Sequence, residues 1–242
     1  MRSLLLLLLL QLLAAQRAFS SLHQASVHPH HPQHPYYVFG KLTNDTVAGF
    51  ANPTCHTATE YFVSSNVQFQ FCIAHDQSYL SNGNSITNLV MVRGFMVTCR
   101  ILHLLYWMLV TSHTGYSREA YFVDVGANIG CCTMHLAALG LPVISVEPLP
   151  DHVAIMMGTL QYNPAFNVEL YHGAVSTVTR TIHAKLRSQE ANWGNTTVEE
   201  VSDAETNFQT LSQYNLDTLI GRRKVALVKI DCEGCEYEAL VG

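Results

Sequence analysis

Asp124, Gly126, Asn128 and Gly130 stand at alternate positions of the run Asp124-Val125-Gly126-Ala127-Asn128-Ile129-Gly130. The run follows the apolar stretch Tyr121-Phe122-Val123 and leads into Cys131 to Leu139, which reads as a helix ended by Gly140. Glycines at a strand-to-helix turn let a ligand come close to the backbone, and a helix start offers unpaired N–H groups. Glu147 closes the next apolar stretch, Val143-Ile144-Ser145-Val146. A carboxylate in that place can accept hydrogens from both hydroxyls of a ribose. The two stretches together predict a site for an adenosine-containing cofactor.

The glycine spacing narrows the choice of cofactor. It is G-x-x-x-G, lacking the third glycine of the dinucleotide turn, and an acid stands directly before the turn. A carboxylate beside a pyrophosphate repels it, whereas one beside the amino group of a methionine moiety attracts it. The residue pattern therefore favours S-adenosyl-L-methionine over NAD or FAD. No G-x-x-x-x-G-K-[ST] stretch proposes a nucleoside triphosphate.

A third constellation is Lys229-Ile230-Asp231-Cys232-Glu233-Gly234-Cys235-Glu236. It places Asp231 and Glu233 just after the apolar stretch Val225 to Ile230, and open α/β sheets bind ligands outside such strand ends. If this strand lies beside the one ending at Asp124, both acids face the reactive end of the cofactor. A hydroxyl attacking a methyl group must lose its proton, and a carboxylate can take it or orient the hydroxyl. Asp231 and Glu233 are the candidate catalytic residues.

The elements that must position these groups alternate regularly. Strands are predicted at Tyr121–Val123, Val143–Val146, Asn167–Tyr171 and Val225–Ile230, with helices at Cys131–Leu139 and Asp151–Tyr162 and a helical segment ending at Leu216–Ile220. That order predicts an α/β fold with a parallel-rich sheet flanked by helices. Residues 180–215 read as a polar excursion. Upstream, Tyr61-Phe62-Val63 and Val67 to Ile73 are short strand candidates. The apolar segment 86–112 reads as a buried helix packed on the sheet, because Arg100 and His103 are costly in lipid.

Asp124-Val-Gly-Ala-Asn-Ile-Gly130, Val146-Glu147-Pro148 and Leu227-Val-Lys-Ile-Asp-Cys-Glu-Gly-Cys-Glu236 resemble the three signatures of FkbM-type methyltransferases. Gly173-Ala174-Val175-Ser176, Asn192-Trp193-Gly194 and Leu216-Asp217-Thr218-Leu219 are similar to lesser features of that family. The resemblance covers roughly residues 75–242, inside a domain drawn at 41–242. It implies the Rossmann-like class I methyltransferase fold, S-adenosyl-L-methionine as methyl donor, and O-methylation of a hydroxyl on a glycan or small molecule. It also implies that Asp124, Gly126, Asn128 and Gly130 surround the methionine part of the cofactor. Glu147 then holds the ribose, Ala174 lies near the adenine, and Asn192, Trp193 and Gly194 lie on the substrate side. That fold has seven strands, whereas the sequence supplies four core strands before Leu240-Val241-Gly242, so a C-terminally incomplete domain is expected.

The N-terminal segment bears on the compartment. Arg2, the apolar run Leu4 to Ala15 broken by Gln11, and Ala18-Phe19-Ser20 form the pattern of a secretory signal peptide over residues 1–20. An uncleaved signal-anchor, with membrane anchorage through residues 4–15, is the alternative. Residues 21–40, rich in His and Pro, read as a linker. The sequons Asn44-Asp45-Thr46 and Asn195-Thr196-Thr197 agree with a secretory-pathway location. There are seven cysteines, so at least one is unpaired. Cys55 and Cys72 are a candidate disulfide. Cys131, Cys132, Cys232 and Cys235 read as small buried hydrophobes, since the C-x-x-C at Cys232 has neither the surroundings a redox role needs nor the second pair that zinc binding needs.

A net charge of -5 and the absence of a basic patch argue against nucleic acid. No constellation with metal-ligand spacing is visible. Two other functions fit parts of the sequence: a non-catalytic luminal or membrane-anchored binding protein with a vestigial pocket, and, more distantly, an NAD-dependent oxidoreductase.

Overall fold

The computed structural model describes residues 37–39, 54–62, 65–73, 97–111, 119–189, 192–202 and 204–242. The predicted signal segment 1–20, most of the linker and the sequon at Asn44 lie outside the described residues. In chain order the elements are β1 (Tyr37–Phe39), β2 (Thr54–Phe62), β3 (Ser65–Ile73), α1 (Val97–Thr111), β4 (Tyr121–Val125), α2 (Cys131–Ala138), β5 (Val143–Glu147) and α3 (Pro150–Tyr162). They continue as β6 (Val168–His172), β7 (Ala174–Ser176), β8 (Arg180–Gln189), β9 (Asn192–Glu200), β10 (Gln209–Asn215), α4 (Leu216–Ile220), β11 (Val225–Ile230) and α5 (Glu236–Val241).

The central sheet has the order β1-β6-β5-β4-β11, and every neighbouring pair is parallel. The chain steps outward from β4 through β5 to β6, then returns to lay β11 on the other side of β4. The carboxyl ends of β4 and β11 therefore form the point where the winding reverses, the place where such sheets open a crevice for ligands. The predicted parallel-rich sheet with helices is what the structure shows. The four predicted strands are β4, β5, β6 and β11.

Side-chain alternation assigns the two faces of this sheet. Phe122, Val143, Val168 and Leu170 pack with α2, α3 and the β2–β3 hairpin. Val123, Val125, Ile144 and Val146 point the other way, onto Leu216 and Leu219 of α4 and Ala239 of α5. Phe122, Ile144 and Leu170 are fully buried. Each such side chain contributes roughly 1.5–3 kcal/mol by leaving water. Burial on both faces explains why these strands read as continuous apolar runs.

Four expectations need correction. The linker drawn at 21–40 contains β1, whose aromatic and β-branched Tyr37-Val38-Phe39 extends the sheet by pairing with Glu169–Tyr171. The polar excursion at 180–215 supplies three strands, β8, β9 and β10, which with β7 form a four-stranded sheet in the order β7-β10-β8-β9. Its core is small, formed by Ala174, Ile182, Ala184 and Leu211, so its other side chains are free to be polar. The segment expected as a buried helix contains α1, which buries Cys99, His103 and Tyr106 but exposes Ile101, Leu104, Leu105 and Met108. No helix among the described residues is long and apolar enough to cross a membrane.

The fourth correction concerns the cysteines. Cys55 and Cys72 are bonded, opposite each other in the β2–β3 register. Cys132 is bonded to Cys99, because α1 lies against the first turn of α2. Cys232 is bonded to Cys235 across a turn in which Glu233 and Gly234 both take positive φ. Among the four expected as small buried hydrophobes, Cys131 alone stands outside these bridges, and it is buried.

Candidate functional site at the carboxyl ends of β4, β5 and β11

The loop after β4 is built on three left-handed residues at alternate positions: Gly126 at φ 74°, Asn128 at φ 56° and Gly130 at φ 82°. Glycine takes this conformation freely, and asparagine is among the few other residues that tolerate it. Gly126 has a second requirement, since a Cβ there would overlap the carbonyl oxygen of Asp231. At Gly130 a Cβ would meet Met156 and Met134, so this glycine lets α2 pack closely on α3. The G-x-N-x-G spacing thus follows from backbone geometry and packing.

The N–H groups of this loop are spent internally. Gly126 and Ala127 both donate to the carbonyl of Val146, at 3.0 and 3.1 Å. Asn128 donates to Glu147 Oε2 at 2.7 Å. Ile129 donates to Asn128 Oδ1, and Gly130 donates to the carbonyl of Ala127. A pyrophosphate-binding turn works by presenting free N–H groups; residues 126–130 present none. The geometry speaks against the dinucleotide alternative.

Glu147 ends β5 and is 4% exposed. Its Oε1 accepts from Leu149 N–H at 3.0 Å and lies 3.2 Å from His152 Nδ1. Burial pushes its carboxyl up, but the His152 contact and the Leu149 and Asn128 N–H groups outweigh that, and the net direction is below the ordinary value. Glu147 is therefore ionised, and His152 carries its proton on Nδ1 to donate to it. A carboxylate has about four accepting positions. Three are occupied, leaving room at Oε2 for one ribose hydroxyl where the residue type alone allowed two.

Asp124 is fully buried beneath the loop. Its Oδ2 accepts from Thr133 Oγ1 at 2.7 Å, and Thr133 also contacts Ser145 Oγ. Lys229 Nζ lies 3.0 Å from Asp124 Oδ1 and 3.9 Å from Asp231 Oδ2, and it donates to the carbonyl of Gly126 at 2.7 Å. Burial disfavours the Lys229 charge, yet Asp124 and Asp231 more than offset this and raise its pKa. The lysine on β11 thereby ties the turn after β4 to its neighbour strand.

The second loop, after β11, carries Asp231 and Glu233. Asp231 N–H continues the ladder to Val125. Its side chain is 68% exposed. Glu233 stands at φ 54° and is exposed. The Glu236 carboxylate accepts from the N–H groups of Cys232 and Gly234, at 3.2 and 2.9 Å. The N–H of Glu236 itself, more than those of Cys232, Gly234 and Glu233, outweighs burial and holds the Glu236 carboxyl below its ordinary range.

Between the loops lies a small recess of about 40 Å³ lined by Gly126, Asn128, Glu147, His152, Asp231 and Glu233. A larger cleft of about 610 Å³ runs from Gly126 and Pro148 past Ala174 to Arg180, Thr197 and the Cys232–Cys235 bridge. The predicted residues Gly126, Asn128, Glu147, Ala174, Asp231 and Glu233 thus meet at one site. Asp124 and Gly130 line neither space and act from behind the loop. Asn192-Trp193-Gly194 opens β9, and Asn192 pairs with Gln189. From that strand, Thr196 reaches the recess and Thr197 the cleft.

Sequence reasoning missed His152, Lys229, Arg180 and the two threonines. A histidine one turn into the helix after a strand-end acid was an available signal for His152. Thr181-Ile182-His183-Ala184-Lys185-Leu186 alternates strictly, and that period of two could have found β8.

Residues 124–242 match the family model of the methyltransferase FkbM domain. The match begins at Asp124, whereas the motifs suggested an extent from about residue 75. Comparison with curated proteins and with solved structures returned no match.

Proposed function

With an FkbM methyltransferase domain at residues 124–242 as premise, we propose that the chain is an S-adenosyl-L-methionine-dependent O-methyltransferase of class I fold. Its acceptor is a hydroxyl on a glycan or small molecule of the secretory pathway. The observation that carries this reading is the position of Glu147. An ionised strand-end carboxylate with one accepting position to spare opens on the recess beside a glycine turn. The residues suit the cofactor. Gly126 keeps the backbone free of a side chain, Glu147 would take a ribose hydroxyl, and Pro148 and Ala174, which line the cleft, would flank the adenine.

When bound, S-adenosyl-L-methionine supplies a methyl group made electrophilic by its sulfonium. The chain's own residues do the remainder. Lys229 holds the turn after β4 and lies beside the exposed carboxylate of Asp231, whose backbone N–H is held by Val125. With the cofactor bound, an Asp231 carboxylate oxygen would accept the proton of the acceptor hydroxyl. Glu233 orients the acceptor at the mouth of the cleft. The lining there mixes Arg180, Thr197, Gln213 and Glu200, a set of donors and acceptors that suits a polyhydroxylated ligand. Three disulfides among the described residues support an oxidising compartment.

The test is transfer of labelled methyl from S-adenosyl-L-methionine to a panel of glycans and small hydroxyl compounds by the full chain. Label in an alkali-stable ether product supports the reading. Label only in thiol or amine products overturns O-methylation, and a folded chain that binds no cofactor overturns the enzyme.

A further inference from the structure

The three disulfides differ in where they stand. Cys72, Cys99 and Cys132 are 0%, 1% and 5% exposed, so each of the first two bridges has at least one sulfur sealed in the core. Cys232 and Cys235 are only partly buried, and both line the 610 Å³ cleft. Their bridge joins residues three apart, closing so short a loop that it adds little to global folding. Its consequence is local. It spans the turn holding Glu233 at φ 54° and Gly234 at φ 121°. A non-glycine residue leaves that conformation when its surroundings release it. Apart from the bridge, the Glu236 carboxylate braces this turn from within the same loop.

We propose that Cys232–Cys235 is a redox-modification site in the wall of the acceptor cleft, opened by a small dithiol to release the loop that carries Asp231 and Glu233. One thiolate of the reagent attacks a bridge sulfur, forming a mixed disulfide and freeing the other cysteine as a thiolate. The second reagent thiol then attacks the mixed disulfide. The reagent leaves as a cyclic disulfide, two electrons pass to the bridge, and two thiols remain in the loop. Because Gly126 fits against the Asp231 carbonyl, the cofactor turn borders the released segment but keeps its own bonds to Val146 and Glu147. Reduction loosens the acceptor side and spares the cofactor side. The functional consequence rests on the methyltransferase reading; the selectivity of reduction does not.

The experiment is a dithiothreitol titration of the full native chain, quenched with iodoacetamide and mapped by peptide mass spectrometry. Hydrogen exchange and S-adenosylhomocysteine affinity are measured on the same samples. Cys232 and Cys235 are expected to label at reductant concentrations at least about tenfold below those that label Cys72, Cys99 and Cys132. The buried thiol of Cys131 should stay unlabelled, showing that the fold persists. Exchange over 231–236 should rise severalfold, with less than about a twofold change over 126–130 and in S-adenosylhomocysteine affinity. The double variant Cys232→Ser/Cys235→Ser should reproduce the exchange change without reductant. Bridges that open together, or a selective opening that leaves 231–236 unchanged in exchange, would overturn the proposal. Selective opening in a chain that binds no S-adenosylhomocysteine overturns the methyltransferase reading and leaves the redox site standing.

Discussion

The two loops that meet at this site are built alike and braced differently. Each follows one of a pair of adjacent parallel strands, each uses left-handed residues, and each has backbone N–H groups docked on a glutamate. The loop after β4 is braced by other elements: Glu147 and Val146 of β5 beside it, and Lys229 of β11 beneath it. The loop after β11 is braced mainly by near neighbours in sequence, by Glu236 six residues past the end of β11 and by the bridge between Cys232 and Cys235. The difference teaches where precision resides. On the proposed reading, the cofactor would be met by the turn locked through tertiary contacts and the acceptor by the turn braced locally.

Disulfide placement follows the same division. In the chain-entropy picture, bridging Cys99 to Cys132 removes about 2 kcal/mol more unfolded-state freedom than bridging Cys232 to Cys235. The first fastens α1 to the helix that begins at the cofactor turn; the second shapes a cleft.

Gly126→Ala attacks the better-braced loop at its tightest point. A Cβ there overlaps the Asp231 carbonyl at a φ that alanine resists, so a loss of about 4 kcal/mol or more is expected in denaturant unfolding. A loss under about 1 kcal/mol would mean the two loops are not in register as described. Lys229→Met comes next. It leaves Asp124, fully buried, without its cation, and should cost about 3 kcal/mol in the same measurement. A near-neutral result would show that Lys229 does not hold Asp124 beneath the turn.

Glu147 sharpens the comparison through pH. Its carboxyl lies below the ordinary value in the folded chain, so the stability it contributes is fully present above the unfolded-state pKa of about 4.3 and is lost as pH falls through the lower folded value. The stability gap between the native chain and Glu147→Gln should hold steady from neutral pH down to about 5 and narrow below about 4. A gap that narrows between pH 7 and 5 would place the carboxyl above its ordinary range instead. The smallest effect belongs to the looser loop. Asp231→Asn alters a largely exposed side chain and should leave both stability and S-adenosylhomocysteine affinity within about 0.5 kcal/mol. Methyl transfer should fall by about 100-fold or more, as for a removed general base. Equal loss of binding and turnover would move Asp231 into the cofactor site.

Much of the tightly braced half was legible in the sequence, because its requirements are local. Left-handed turns need glycine or asparagine at fixed positions, as at Gly126, Asn128 and Gly130, and doubly covered strands need unbroken apolar runs, as at Val143–Val146. The helices α2 and α3 were read to within a residue, whereas the helical segment expected to end at Leu216–Ile220 is only those residues, preceded directly by β10. What escaped depends on distant partners. Nothing near Tyr37 announces that it will pair with β6. The bond between Cys99 and Cys132 needs two helices to meet first. Lys229 was visible within a motif, but its task, holding Asp124 and Gly126, exists only once β11 lies against β4. The strand β8 carried a readable alternation at Thr181–Leu186 that was obscured by its polar composition.

The most direct measurement is a calorimetric titration of the full chain with S-adenosylhomocysteine, beside Glu147→Ala, with circular dichroism to establish that both are folded. The site described here predicts binding by the native chain and a loss of about 1.5–3 kcal/mol in the variant, the range for a hydrogen bond to a charged group. Equal affinity in two folded proteins, or no binding by a folded native chain, would contradict the assignment of this strand-end carboxylate as the ribose anchor of a methyltransferase.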